Sequence, residues 1–292
     1  MKSVRKLPSG AGEFRTRDGL SLWYKVSGRG PALLVPTPGW GASADMYIKS
    51  LVPLERDFSL IYLDTRGAGR SDAPAKASGY KFSFFLDDLE TLRAHLGLDH
   101  WLIFAHSDAT LQGLGYAIRH PKACRGLFIV GGTLNVVDKE LKADTRARMK
   151  KLSHEPWFAA ADKAKAAKSD DEFRQSFLGV QLPLYFASYA AAQKARHYFS
   201  ASTYRVKGNK YDAFAPEYHP RNLAQIRVPT AVFEGDHDVI TTPLESLRLE
   251  RGIANSRLFV IRNAGHFPWL EQRNAFFKDF SEAARMILEH GR

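Results

Sequence analysis

Ser107, Asp238 and His266 are the residues of this chain whose types and surroundings could carry out acyl chemistry. Ser107 stands in Ala105-His-Ser-Asp-Ala109, after the apolar run Trp101–Ala105 and before the stretch Leu111–His120. The run reads as a buried strand and the stretch as a helix. A serine between them, with a small residue two positions before and two after, has the spacing of a nucleophile elbow. Strand and helix nearly touch in so tight a turn, and bulk at 105 or 109 would clash. Both positions hold alanine where glycine is usual. Asp108 is the rival nucleophile, but a turn centred on it places His106 and Thr110 at the small positions, where histidine does not fit.

A serine hydroxyl is a weak nucleophile at neutral pH, so a base must take its proton. The imidazole that does so needs a carboxylate to hold its tautomer and offset its charge. Of ten histidines, His266 lies in Asn263-Ala-Gly-His-Phe-Pro268, directly after the apolar run Leu258–Ile261. His237, between two aspartates, is expected to face solvent, and His106 to be structural, because the side chains of neighbouring residues diverge. Gly235-Asp-His-Asp238 offers two acids. Asp238 lies deeper in the loop, where it can reach the histidine, whereas Asp236 is placed to stabilise the turn. The order along the chain is Ser, Asp, His.

Negative charge on a tetrahedral intermediate needs backbone amides aimed at it. In the loop after Val35, Pro36 and Pro38 have no amide proton, which leaves Trp40, between Gly39 and Gly41, as the first donor. Asp108, at the start of the helix after the nucleophile, supplies the second. A carboxylate beside a forming oxyanion is electrostatically awkward, so the Asp108 side chain is expected to point away, toward a cap residue or a cationic substrate group.

The elements that must position these residues alternate. Residues 13–26 read as two strands around Asp18-Gly19, a hairpin dipeptide. Pro31–Val35, Phe58–Leu63 and Gly126–Val130 are continuous apolar runs, the mark of strands covered on both faces, and Thr230–Glu234 and Leu258–Ile261 read as further strands. Helical spacing occupies Phe82–Leu96, Pro243–Gly252 and Phe267–Glu289, with a further helix from a Ser43 N-cap. The expected fold is α/β, a mostly parallel sheet with helices on both faces. Leu134 to about Pro220 breaks the alternation, with no strand pattern but helical stretches rich in alanine, lysine and aromatics. The expected division is therefore a core of residues 1–133 and 221–292 with a helical cap over 134–220.

The 292 residues carry a formal charge of +11, but lysine and arginine are scattered and no zinc-finger or RNP-like pattern accompanies them. No nucleic-acid partner is expected. The single Cys124 excludes an internal disulfide. With no signal-peptide core and no long apolar span, a cytoplasmic protein without membrane contact is expected. Gly67-Ala-Gly69 lacks the third glycine of a dinucleotide loop, and no Cys/His cluster is present, so no cofactor or metal is expected. The sequence leaves the oligomeric state open.

Pro-Gly-Trp-Gly (38–41), Asp-Thr-Arg-Gly-Ala-Gly-Arg-Ser (64–71), Ala-His-Ser-Asp-Ala (105–109), Gly-Asp-His-Asp (235–238) and Asn-Ala-Gly-His-Phe-Pro-Trp-Leu-Glu (263–271) together resemble the α/β-hydrolase superfamily. The resemblance implies an eight-stranded core, a cap after the sixth strand and triad roles for Ser107, Asp238 and His266. The cap and the final motif look like those of proline-iminopeptidase-like members, in which Glu155 and Glu172 could meet a free amino terminus. Those members' oxyanion loop reads His-Gly-Gly-Pro-Gly, and tryptophan follows their nucleophile; Pro-Thr-Pro-Gly-Trp-Gly and Asp108 depart from both. An aromatic-rich cap over an apolar pocket with few charges suits a small ester, lactone or related acyl substrate. The alternatives are an aminopeptidase of the iminopeptidase type and a ligand-binding receptor with little turnover.

Overall fold

The apolar runs of the sequence all lie in one sheet, with Leu258–Ile261 at its edge. In this computed structural model, which describes residues 7–39, 41–164, 166–205 and 220–289, the strands are β1 (Gly10–Arg15), β2 (Ser21–Gly28), β3 (Ala32–Pro36), β4 (Ser59–Leu63), β5 (Trp101–His106), β6 (Cys124–Val130), β7 (Thr230–Gly235) and β8 (Ser256–Ile261). Their order is β1-β2-β4-β3-β5-β6-β7-β8. β2 pairs antiparallel with β1 and β4, and every later pairing is parallel. Every residue of β4, β5 and β7 is buried, as strands covered on both faces require.

Alternation within each strand divides the interior into two layers. Leu60, Tyr62, Leu102, Phe104, Phe128 and Val130 contribute to one hydrophobic cluster, and Ile61, Leu63, Ile103, Ala105, Leu127 and Ile129 to the other. The helices that cover the sheet include α1 (Asp45–Ser50), α2 (Phe82–His95) and α3 (Ala109–Arg119). Between β6 and β7 the chain is helical: α4 (Lys139–Leu152), α5 (Phe158–Asp162), α6 (Asp170–Ser176), a π-helical turn (Phe177–Gln181), a 3-10 turn (Leu182–Tyr185) and α7 (Tyr189–Phe199). Asp138, Ser169 and Ser188 cap α4, α6 and α7 by accepting from the amides of Leu141, Glu172 and Ala191. The core resumes with α8 (Pro243–Gly252), α9 (Pro268–Glu271) and α10 (Arg273–Glu289), where Phe280 stacks on Phe128 at 4.3 Å between centroids.

One local expectation fails. Ser43 does not cap α1: Ala44 holds that position, while the Ser43 hydroxyl donates to Asp45 and accepts from the Thr203 amide at 3.1 Å. A tertiary donor has displaced the local cap. Leu182-Pro183 opens the 3-10 turn that stands between the π-helical turn and α7, where proline's missing amide costs no hydrogen bond.

Parallel pairing from β3 to β8 brings the carboxyl ends of those strands to one edge of the sheet. Ligands bind at this edge in open α/β sheets. Ser107 follows β5, Asp238 follows β7 and His266 follows β8, so the three candidate residues come to the same edge.

Candidate active site

Ser107 has φ +57°, the left-handed region that a residue with a side chain occupies only under constraint. Its amide donates to the Val130 carbonyl at 3.0 Å, and its own carbonyl accepts from Thr110 at 3.0 Å as α3 begins. Ala105 and Ala109 are completely buried. One turn on, a β-carbon added to Gly113 would lie 3.1 Å from the Ala105 methyl. α3 therefore rests almost on β5, which is why small residues flank the serine.

Asp238 is enclosed by its own loop. Oδ1 accepts from the amides of Ile240 (2.7 Å) and Thr241 (3.1 Å), and Oδ2 accepts from His266 Nδ1 at 2.7 Å. Both side chains are about 1% exposed or less. With its proton held at Nδ1, a neutral His266 has its lone pair at Nε2, as a base requires. Thr241 Oγ1 lies 2.8 Å from the Gly131 carbonyl, 3.0 Å from Asp238 Oδ2 and 3.1 Å from His266 Nδ1. Its one proton serves one acceptor at a time, so it ties the acid to the end of β6. Gly131 allows this approach: a β-carbon there would meet His266 Nδ1 at 3.0 Å.

The His266 loop is clamped from the helical segment. The His266 amide donates to the Tyr185 carbonyl at 2.8 Å. Glu271 accepts from the amides of Gly265 (2.8 Å) and Ala187 (3.0 Å), joining both strands of chain. Burial pushes the Glu271 carboxyl up to about 7, against these two amides. Gly265 is needed because a β-carbon there would lie 2.7 Å from the Tyr185 carbonyl oxygen.

His106 is buried, as its structural reading expects, and makes two bonds. Its Nε2 lies 2.9 Å from the His266 carbonyl, which can only accept, so Nε2 carries the proton and Nδ1 accepts from the Tyr47 hydroxyl at 2.7 Å. Burial holds its pKa well below the ordinary histidine value, consistent with a neutral ring 4.6 Å from that of His266. His237 is half exposed and paired with Asp236 at 2.6 Å, and Asp236 also accepts from the Ala264 amide. Both match the roles read from the sequence.

A cavity of about 740 Å³ is lined by Ser107, Asp108 and His266 together. Phe173, Phe177, Tyr185 and Phe267 form an aromatic wall. The expected scarcity of charge is corrected, because Asp108, Lys142, Arg146 and Glu245 also face this space. Asp108 is among these cavity residues; burial raises its pKa, with the His266 ring opposing. Glu155 and Glu172 do not line the cavity: Glu155 lies 3.5 Å from His154, and Glu172 accepts from the Lys168 amide at the start of α6. Trp40, the expected first oxyanion donor, lies outside the described residues. Among the described residues that follow, Gly41 accepts from the Arg205 amide and the Ser43 amide donates to the Thr203 carbonyl.

Thr241, Glu271, Tyr47 and Glu245 were not singled out from the sequence. Asp238-Val-Ile-Thr241 does carry a signal, since an acid two and three residues before exposed amides is the pattern of a local side-chain turn. Nothing in the sequence marks the other three, whose partners are 84, 59 and 112 positions away.

A family model described as alpha/beta hydrolase fold matches residues 32–272. A proline iminopeptidase of Saccharolobus solfataricus is 24% identical over 283 residues, which span 90% of this chain and 89% of that enzyme. An esterase from Exiguobacterium antarcticum has a TM-score of 0.70 at 20% identity, covering 94% of this chain and 98% of the esterase. The enol-lactonase from Burkholderia xenovorans has a TM-score of 0.66 at 20% identity, covering 94% and 99%. At these identities the likeness to the solved structures establishes a shared fold.

Proposed function

This chain belongs to the alpha/beta hydrolase fold family, and from that premise we propose that it is a serine hydrolase of small acyl compounds, esters or lactones first. Ser107 attacks the acyl carbon, His266 takes its proton and later returns one to the leaving group, and Asp238 orients the imidazole. The amides of Trp40 and Asp108 hold the oxyanion. Water then releases the acid from the acyl-enzyme. The observation that carries this reading is the Asp238–His266 bond at 2.7 Å beside a serine held at φ +57°, with Ser107 and His266 on one cavity. Helices of the 134–220 segment act as the cap, and the aromatic wall receives the apolar part of the substrate.

An aminopeptidase is the second reading, favoured by the iminopeptidase relatives. Against it, neither Glu155 nor Glu172 lines the cavity, so neither reaches a substrate amine there. A fluorophosphonate probe followed by peptide mass spectrometry is expected to place the adduct on Ser107 and to find none in Ser107→Ala. Labelling that persists in that variant overturns the assignment. A panel of short esters, lactones and proline amides then separates the two hydrolase readings. Ligand-induced thermal stabilisation without turnover of any of them identifies a receptor instead.

A further inference from the structure

Glu245, in the first turn of α8, lines the cavity yet is only 4% exposed. Its Oε1 accepts from the Thr133 hydroxyl at 2.6 Å and from the Leu134 amide at 3.2 Å. Oε2 has no hydrogen bond among the described residues, and no lysine, arginine or histidine among them forms an ion pair with this carboxyl. A carboxyl taken out of water without a cation favours its neutral form. Two donors already converge on Oε1, which leaves Oε2 as the oxygen to carry that proton.

We propose that Glu245 presents an O–H donor to the substrate and selects acyl compounds that carry a second oxygen acceptor, such as a keto oxygen, besides the carbonyl under attack. This deepens the serine hydrolase reading and rests on it only for turnover. The surroundings of Glu245 favour the neutral acid. Burial raises its pKa first, the bonds from Thr133 and Leu134 oppose, and the carboxyls of Asp238 and Asp108 raise it again, to about 7. Glu234 on β7, itself buried, adds a further acid beside it. Lys142 and Arg146 of α4 and His266 lie on the same cavity, but none of them bonds to Glu245. An acceptor ligand therefore binds best while the acid keeps its proton, and meets repulsion from the carboxylate above that range.

The test compares kcat/KM for ethyl levulinate with ethyl pentanoate, and for ethyl acetoacetate with ethyl butanoate, across pH. Each ratio cancels the titration of His266, which both esters share. For at least one pair the keto ester is expected to be preferred about fivefold at about pH 6, with the preference lost by about pH 8.5, the size of one neutral hydrogen bond. In Glu245→Gln, the amide keeps an acceptor for Thr133 and Leu134 and offers N–H in place of O–H, so the preference survives and no longer varies with pH. Glu245→Met loses it at every pH. A merely structural Glu245 moves neither ratio. Calorimetry on Ser107→Ala reads the same contact without turnover: ethyl levulinate is expected to bind with proton uptake near pH 7, and without it when Glu245→Gln is added. Flat ratios in the unsubstituted protein, or a preference lost in Glu245→Gln, overturn the proposal. Absence of turnover with this proton-linked binding intact overturns the hydrolase reading alone.

Discussion

Four donors lie within hydrogen-bond reach of Asp238 in a space closed to solvent, the Thr241 hydroxyl sharing its proton with the Gly131 carbonyl. The two loop amides and the Thr241 hydroxyl fix the carboxylate, and His266 links it to the ring that shares a cavity with Ser107. Asp238→Asn leaves the shape intact but favours the wrong imidazole tautomer, so kcat on a responsive ester is expected to fall by about a thousandfold or more. Thr241→Val removes one tether without removing the acid, and steady-state kinetics should give a fall of about tenfold in kcat with KM little changed. Tyr47→Phe acts on stability instead. It leaves His106 Nδ1 buried without a donor, and urea unfolding is expected to show a loss of about 1–3 kcal/mol. His106 is thus a joint between the end of β5 and the His266 loop, 160 positions apart, held by one carbonyl.

Among the elements, close approach of backbones decides where the side chains can be. α3 rests on β5 through Ala105, Ala109 and Gly113, and Ala105→Leu would force this pair apart. Overpacking of this kind typically costs about 1–3 kcal/mol, and here it should also abolish fluorophosphonate labelling, because the turn that exposes Ser107 depends on the contact. The His266 loop has a comparable constraint in Gly265, which faces the backbone of Tyr185 and Phe186. Gly265→Ala is expected to lower kcat while leaving the far-UV circular dichroism unchanged, since the strain falls on the loop and not on the sheet.

Across the molecule, the helical segment and the core are joined by a carboxyl that prefers its proton. The folded pKa of Glu271 is about 7, raised from the ordinary glutamate value of 4.5. Between these values the unfolded chain has released this proton while the folded chain retains it, so raising the pH through this window destabilises the fold, and above it the loss is complete. Glu271→Gln has no such loss. The stability difference between variant and parent, from urea unfolding at each pH, should move in the variant's favour by on the order of 3 kcal/mol between about pH 4.5 and 7, then level off. No helix among the described residues is long and apolar enough to cross a membrane. The sheet was legible in the sequence because strands buried on both faces must be continuous apolar runs, as β4, β5 and β7 are, and α8 matches its expected bounds from Pro243 to Gly252. Ser107, Asp238 and His266 were legible because each follows such a run in a local pattern of small or turn-forming residues. Local spacing could not report that Ser43 answers to Thr203, that Glu271 bonds the amide of Ala187, or that Glu245 accepts from Thr133 at the edge of the cavity. Those are contacts between chain segments tens to hundreds of positions apart. Hydrophobic periodicity dictates which face of an element is buried, but only the packed structure decides which distant polar group meets it there.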